Sequence, residues 1–86
     1  MKKLIFIALF FSANVMSSPV NINTADAKTI SKSLKGIGMK KAQTIVEFRK
    51  KQGAFKTLED FGKVPGVGPK TISANKADIL LSDSNN

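Results

Sequence analysis

Gly36-Ile37-Gly38-Met39-Lys40-Lys41-Ala42 has a counterpart thirty positions later in Gly66-Val67-Gly68-Pro69-Lys70-Thr71-Ile72, and these two stretches decide the fold. Each has two glycines around one aliphatic residue, a pattern typical of a tight turn that opens a helix. The first N–H groups of a helix have no partner within it and lie at the positive end of its dipole. The two turns are therefore candidate anion sites.

Lysines follow both turns closely. Lys40 and Lys41 follow the first turn, and Lys70 follows the second. Mobile positive charge beside unpaired amide groups favours phosphate as the anion. A purely structural interpretation also exists, because a tight connection between helices needs glycine whether or not a ligand binds. Two equivalent turns that both have adjacent lysines favour phosphate contact over turn geometry alone.

The two turns resemble those of a tandem helix-hairpin-helix DNA-binding domain, and the segments around them are similar to ComEA-type competence proteins. The similar segments are Val20-Asn21-Ile22-Asn23-Thr24-Ala25, Ile45-Val46-Glu47-Phe48-Arg49 and Gly53-Ala54-Phe55-Lys56-Thr57-Leu58-Glu59-Asp60. The resemblance covers residues 20–81. It implies an all-α fold in which two helix-hairpin-helix motifs form one small domain of about five short helices.

In this resemblance each hairpin grips one strand of double-stranded DNA, across the minor groove and through the phosphate backbone. The interface that it implies consists of Gly36, Ile37, Gly38, Lys40, Lys41, Gly66, Val67, Gly68, Lys70 and Thr71. The glycines and the residues between them would contact phosphate through the main chain. Ile37 and Val67 would also insert their side chains beneath the turns as packing anchors. Lys35 stands where the family commonly has proline, and we expect it to keep the turn and to be available for a further contact.

Contacts of this kind involve the DNA backbone rather than base edges, so binding is predicted to be independent of sequence and sensitive to salt. The chain has no cysteine and no histidine, which excludes thiol nucleophiles, disulfides, imidazole bases and the usual zinc sites. Its acidic residues are spread along the chain rather than paired. We therefore expect a binding protein and not an enzyme, with no cofactor, no metal and no small-molecule substrate.

The resemblance further implies a receptor that holds incoming DNA during natural transformation and biases its movement inward as a ratchet. It implies an inner-membrane DNA channel and the outer-membrane uptake machinery as partners. One alternative stays open, because a DNA-targeting accessory subunit of another exported DNA-processing complex would have the same hairpins. A membrane-active cationic peptide is disfavoured, because glycines and Pro69 break the chain into short helices.

The first residues differ in composition from the rest. Lys2 and Lys3 precede an apolar run from Leu4 to Phe11, and small and polar residues follow as far as Ser18. This pattern predicts a secretory signal peptide, since a membrane-spanning helix needs about 20 apolar residues. We predict cleavage after residue 17, a periplasmic domain over residues 18–81 and a polar tail over residues 82–86.

The predicted cleavage makes the chain strongly basic for its size. It removes two of the 14 basic residues and none of the six acidic residues, which leaves a net charge of +6. Such an imbalance on one small domain favours nucleic acid as a partner. A solvated surface and a DNA contact remain equally open for five lysines away from the turns, namely Lys28, Lys32, Lys50, Lys51 and Lys76.

Helical periodicity predicts the first hairpin in detail. We expect residues 20–23 to be extended, and Asn23 or Thr24 to cap a helix over about residues 25–35. A second helix over about residues 40–51 should end at Gly53.

The second hairpin should follow directly. Thr57 and Asp60 predict a capping box for a short helix over about residues 58–63. Pro69 suits the first turn of a helix over about residues 69–75, and a final turn closes the core. The aromatic residues Phe48, Phe55 and Phe61 lie in apolar patterns. We expect them in the core rather than stacked on bases.

Overall fold

A computed structural model describes residues 18–82. In chain order it contains strand β1 (Val20–Asn21), helices α1 (Ala27–Ser33), α2 (Met39–Gln52), α3 (Leu58–Phe61) and α4 (Pro69–Asn75), a 3-10 turn (Lys76–Asp78) and strand β2 (Ile79–Leu80). The predicted helical class with two helix-hairpin-helix motifs is thus confirmed for this part of the chain, with four α-helices and a 3-10 turn in place of about five helices and with two short strands added to the predicted all-α fold. The predicted signal peptide and all but the first residue of the predicted tail lie outside the described residues. No helix within residues 18–82 is both long and apolar enough to cross a membrane.

Helix α1 begins later than predicted. Its N-cap is Asp26, whose Oδ1 accepts a hydrogen bond of 2.8 Å from the Thr29 N–H. The expected caps Asn23 and Thr24 were therefore wrong. The chain first makes a turn in which the N–H groups of Thr24 and Ala25 donate to the Asn21 carbonyl, at 3.2 and 2.9 Å. That turn uses residues that the sequence assigned to the strand end and to the first turn of the helix.

Helices α2 and α4 lie close to their predicted positions. Helix α2 ends at Gly53, whose φ is 95° and whose N–H donates to the Arg49 carbonyl at 2.9 Å. Only glycine adopts such a φ without strain, which explains the stop. Helix α4 spans the predicted residues and has proline at its first position.

Helix α3 is shorter than predicted and ends at Phe61. Thr57 caps it by accepting a 3.0 Å hydrogen bond from the Asp60 N–H. The Asp60 carboxylate accepts a 3.1 Å hydrogen bond from the Lys56 N–H, one residue before the cap. The return half of the capping box is therefore displaced by one residue.

One apolar core lies between the helices of residues 18–82. Its buried members are Val20, Ile22, Ile30, Leu34, Ile37, Ala42, Ile45, Phe55, Phe61, Val64, Val67 and Ile79. The Phe55 and Phe61 rings meet edge to face with centroids 5.4 Å apart, and the half-buried Phe48 ring stacks on Phe55 at 5.9 Å. The three aromatic side chains therefore pack on one another, which confirms that they belong to the core.

The two ends of the described chain form a short parallel sheet, which the sequence did not predict. Strand β1 lies beside β2, with Val20 opposite Ile79. The Ile22 N–H extends the pairing by donating to the Leu80 carbonyl at 3.1 Å. The sheet joins the segment before hairpin one (α1 and α2) to the segment after hairpin two (α3 and α4), so the ends of the domain support each other.

Asn23 links three segments that are distant in sequence. Its Nδ2 donates to the carbonyls of Phe55 and Leu81, each at 2.9 Å, and its Oδ1 accepts from the Phe55 N–H at 2.7 Å. Nearby, the Arg49 guanidinium donates to the Ile22 carbonyl at 2.8 Å, and burial lowers the pKa of Arg49. The conspicuous asparagine of the lead-in segment therefore has a structural role.

Candidate functional site

The turns of the two hairpins have the same backbone design. Turn one (residues 34–38) joins α1 to α2, and turn two (residues 64–68) joins α3 to α4. The first glycine of each turn has a positive φ, 76° at Gly36 and 93° at Gly66. The second glycine is the extended N-cap of the following helix, with φ of −79° at Gly38 and −110° at Gly68. The first glycine thus permits the reversal of the chain, and the second begins a helix.

The side chains between the glycines confirm the predicted anchors. Ile37 is 2% exposed and Val67 is 4% exposed, and both belong to the core. In turn two the Val67 N–H also donates to the Val64 carbonyl at 3.0 Å. The flanking Gly36, Gly38 and Gly66 are exposed, whereas the Val67 N–H is used within the turn and is not free for the predicted main-chain contact with phosphate.

The second glycine of each turn lies in open space. A Cβ atom placed on Gly38 or Gly68 would meet no atom within 4 Å. An extended φ is available to every residue. The packing and the backbone φ do not require glycine at these positions, where glycine is the N-cap of the helix and leaves the main chain open to close approach by a partner.

No side chain caps α2 or α4. Hydrogen bonding in α2 begins with the Ala42 N–H, which donates to the Gly38 carbonyl at 3.0 Å, and in α4 with the Ile72 N–H, which donates to the Gly68 carbonyl at 3.1 Å. The amides that precede these donors have no acceptor within their helix. They can donate to an outside anion, which the helix dipole also favours.

The lysines beside the turns carry charge that the rest of the described chain does not neutralise. Lys40, Lys41 and Lys70 are exposed. Within residues 18–82 the one ion pair joins Lys63 to Asp60, with Nζ and Oδ1 3.6 Å apart. The three turn lysines are therefore available to an anion.

One carboxylate in or next to the first helix of each hairpin accepts a hydrogen bond from the backbone. The Thr29 backbone N–H lowers the pKa of Asp26 at the start of α1, and the Lys56 backbone N–H lowers the pKa of Asp60 in α3. Both carboxylates are thus bound by backbone N–H groups near a helix start, and neither forms an ion pair with Lys40, Lys41 or Lys70.

Each hairpin contacts the turn of the other. The side chain of Lys41 on α2 lies along Gly66, where a Cβ atom would be 3.4 Å from Cε and 3.5 Å from Cγ. In the opposite direction, Asn75 on α4 binds the backbone of Lys35 in turn one: Oδ1 accepts from the N–H at 2.7 Å, and Nδ2 donates to the carbonyl at 2.8 Å. The fold therefore brings the two sets of predicted site residues together.

Asn75 is a residue of this region that we did not single out from the sequence. It is 1% exposed, and its Nδ2 donates a further hydrogen bond of 2.9 Å to the carbonyl of Thr71, a predicted site residue. A signal was present, because the position thirty residues earlier is Ile45, a core residue of α2. A polar residue at an apolar place of the repeat indicates a buried hydrogen-bond partner. The assignment of the other site residues to a DNA interface stays a prediction.

The comparison with known families agrees with this geometry. A family model described as helix-hairpin-helix motif matches residues 15–80. The chain belongs to the helix-hairpin-helix family.

Several relatives share most of this chain. It is 47% identical over 67 residues to an uncharacterized protein of Haemophilus influenzae, a match that covers 78% of this chain and 60% of the relative. It is 40% identical over 62 residues to ComE operon protein 1 of Bacillus subtilis, with 72% of this chain and 30% of the relative covered. The family match and this second relative confirm the resemblance to ComEA-type helix-hairpin-helix proteins.

The same region also occurs in much longer proteins. The chain is 38% identical over 76 residues to endonuclease/exonuclease/phosphatase family domain-containing protein 1 of Danio rerio, covering 88% of this chain and 14% of that protein. The chain thus spans less than two thirds of the length of each of these relatives. No solved structure matches the chain.

Proposed function

We propose that this protein binds double-stranded DNA through its phosphate backbone, without sequence preference, and that it acts in DNA uptake during natural transformation. The observation that carries the proposal is the pair of adjacent turns of one backbone design, each followed by a helix start without a side-chain cap and by at least one exposed lysine. Two such turns, related by the repeat, suit the two strands that border a minor groove.

The side chains at the turns support backbone contact rather than base recognition. Lys35, Met39, Lys40, Lys41 and Lys70 are the exposed long side chains there. Lysine binds phosphate as a point charge, whereas base recognition relies on paired donors and acceptors such as those of arginine, asparagine and glutamine. The turns therefore fit a partner that presents phosphates at regular spacing.

The role in uptake rests on the relatives and on the predicted signal peptide. Similarity to a ComE operon protein supports a place in competence. An exported domain that binds DNA without chemistry would hold incoming DNA in the periplasm and oppose its backward movement. Its partners would then include an inner-membrane DNA channel and the outer-membrane uptake machinery. Fractionation of the cells and N-terminal sequencing test the location, with a mature chain that begins at Ser18 as the expected result.

A titration of the purified protein with duplexes of unrelated sequence tests the binding mode. If the two turns and their lysines neutralise about four phosphates, log affinity should fall with log salt at a slope of roughly −3 to −4. Unrelated duplexes should bind alike. A flat salt response, or a strong preference for one duplex, would contradict the backbone grip.

A second candidate function is a DNA-targeting part of another DNA-processing complex. It is favoured by the relatives of which the matched region is only 14% of the length, since there a similar domain is one part of a larger protein. A deletion strain distinguishes the two. Loss of transformation that the wild-type gene restores supports uptake, whereas normal transformation with altered exported nuclease activity supports the second candidate.

A further inference from the structure

The two hairpins differ at several positions of the repeat, and two of these positions, residues 35 and 75, contact each other. Lys35 of turn one corresponds to Pro65 of turn two, and Asn75 of α4 corresponds to Ile45 of α2. Asn75 is 1% exposed and Ile45 is fully buried. A buried amide side chain therefore stands in one hairpin at the place where the other hairpin has a buried aliphatic one.

The two differences complement each other chemically. Lys35 has a backbone N–H that needs an acceptor, and Asn75 Oδ1 supplies it at 2.7 Å. Pro65 has no N–H. The apolar Ile45, which stands at the place that corresponds to Asn75, therefore does not need to supply an acceptor to residue 65. Lysine with asparagine, and proline with isoleucine, are thus two matched pairs.

Asn75 satisfies all of its own hydrogen-bonding groups in this arrangement. Its oxygen accepts from the Lys35 N–H, and Nδ2 donates to the carbonyls of Lys35 and Thr71 at 2.8 and 2.9 Å. Burial of an amide is costly unless its donors and acceptor are paired. Because two of the three bonds cross to the other hairpin, their geometry depends on the relative placement of turn one and α4.

Proline and the asparagine bonds restrain a turn in different ways. A proline ring restrains its own φ within its own hairpin. Asn75 restrains the backbone of residue 35 from the other hairpin and leaves the Lys35 side chain exposed and positively charged.

We infer that Asn75 is a positioning residue for DNA binding. It holds turn one at a fixed place relative to turn two, so that both turns contact phosphates of the same duplex. Because Asn75 restrains the backbone of residue 35, this position can be lysine instead of proline. Lys35 is then a further cation that contacts DNA. This inference rests on the proposed function.

Four variants of the purified protein test it, namely Asn75→Ile, Lys35→Pro, the double variant with both changes, and Lys35→Gln. Each is measured for thermal unfolding by circular dichroism. Each is then titrated with one mixed-sequence duplex from about 50 to about 200 mM NaCl, where the salt slope counts phosphate contacts. All titrations are made at a temperature at which the variant is folded.

Asn75→Ile should lower the melting temperature, because the Lys35 N–H loses its acceptor. Among folded molecules the affinity should fall on the order of 10- to 100-fold, and the salt slope should lose about two phosphate contacts, because one turn is no longer held in place. Lys35→Pro alone should also lower the melting temperature, because Asn75 loses a donor. The double variant recreates the pair of hairpin two and should recover the melting temperature and most of the affinity. Its slope should be smaller than that of the parent by about one contact, as for Lys35→Gln.

The opposite results are equally specific. If folded Asn75→Ile binds with the affinity and slope of the parent, Asn75 has only a structural role. If the double variant has no higher melting temperature or affinity than either single variant, the two pairs are not matched. If Asn75→Ile does not fold, the double variant is still compared with Lys35→Pro. A parental slope in Lys35→Gln removes Lys35 from the interface. A parent that binds no duplex contradicts the proposed function itself, whereas the melting temperatures still report on the Asn75 bonds.

Discussion

Hairpin one and hairpin two have turns of the same backbone design, but different residues restrain the two turns. Hairpin two has a proline within its turn, Pro65, and another directly after it, Pro69, and their rings restrain the backbone locally. Turn one has Lys35 and Met39 at those places and is held by the Asn75 side chain of the other hairpin. A turn of this design can therefore be ordered by a proline ring or by a tertiary hydrogen bond. The hydrogen bond leaves residue 35 able to carry a charge.

The helices before the turns differ as well. Helix α1 has seven residues and α3 has four. In hairpin two Gly62 follows α3, and a Cβ atom there would be 3.2 Å from Ile72 Cδ1 and 3.3 Å from the Glu59 carbonyl oxygen. Lys32 is the exposed counterpart in hairpin one. A side chain at residue 62 would therefore crowd Ile72 of α4, whereas the corresponding lysine of hairpin one is exposed, and hairpin one carries more of the positive charge.

Substitution of the extended glycines, Gly38 and Gly68, should have the largest effect on DNA affinity. Gly38→Ala and Gly68→Ala should each reduce DNA affinity roughly tenfold, because a methyl group obstructs the phosphate and one contact is lost. Both glycines have an ordinary φ and open surroundings, but both are N-caps, where alanine is less favourable than glycine. The melting temperature should therefore fall slightly, by less than the loss of affinity requires. Titration and thermal unfolding of both single variants and of the double variant measure this. Parental affinity in the folded double variant would show that these turns only connect helices.

The glycines with positive φ should show the reverse behaviour. Gly36→Ala and Gly66→Ala should each lower the free energy of unfolding by about 1 kcal/mol or more, because alanine is strained at positive φ. Gly66→Ala should cost more, since its φ of 93° lies further from the left-handed helical value than the 76° of Gly36, and Lys41 lies against it. Urea denaturation measures both. Equal stability of the four single glycine variants would contradict the division of roles between the glycines.

The lysines give a smaller effect that counts contacts in each hairpin. Lys40→Ala with Lys41→Ala should reduce the salt slope by about two, and Lys70→Ala by about one. Stability should stay within about 0.5 kcal/mol of the parent, because all three side chains are exposed. Lys50→Ala with Lys51→Ala is the matched control, since it removes the same charge at the far end of α2. An equal loss of slope in this control would assign the effect to overall charge.

The smallest effect concerns the acidic residues at the start of each hairpin. Backbone hydrogen bonds from Thr29 and Lys56 hold the pKa values of Asp26 and Asp60 below their ordinary value of 3.8. A lowered folded-state pKa stabilises the fold above the ordinary pKa, and this contribution is lost as the pH falls through the folded-state value. At pH values below 3.8 the melting temperature should therefore decrease, and the decrease should be smaller in Asp26→Asn and in Asp60→Asn than in the parent. The same pH dependence in both variants as in the parent would exclude these groups as its cause.

Local chemistry made much of this protein predictable. The two turns, the anchors Ile37 and Val67, the stop at Gly53 and the position of α4 follow from glycine, proline and helical periodicity, each of which acts within a few residues. The predicted signal peptide and the DNA contacts stay predictions. Errors occurred where two local signals competed, as at the start of α1, where Asn23, Thr24 and Asp26 are all good caps.

Tertiary structure decided what no local pattern contains. Asn23 could have capped α1, but its amide binds the carbonyls of Phe55 and Leu81, which only the folded chain brings near. The parallel pairing of β1 with β2 likewise needs both ends of the domain. The sequence alone is sufficient to predict two equivalent turns, each followed by lysine. Their placement side by side depends on bonds such as those of Asn75 to Lys35, forty residues apart, because a buried amide selects its partners only when packing has excluded water.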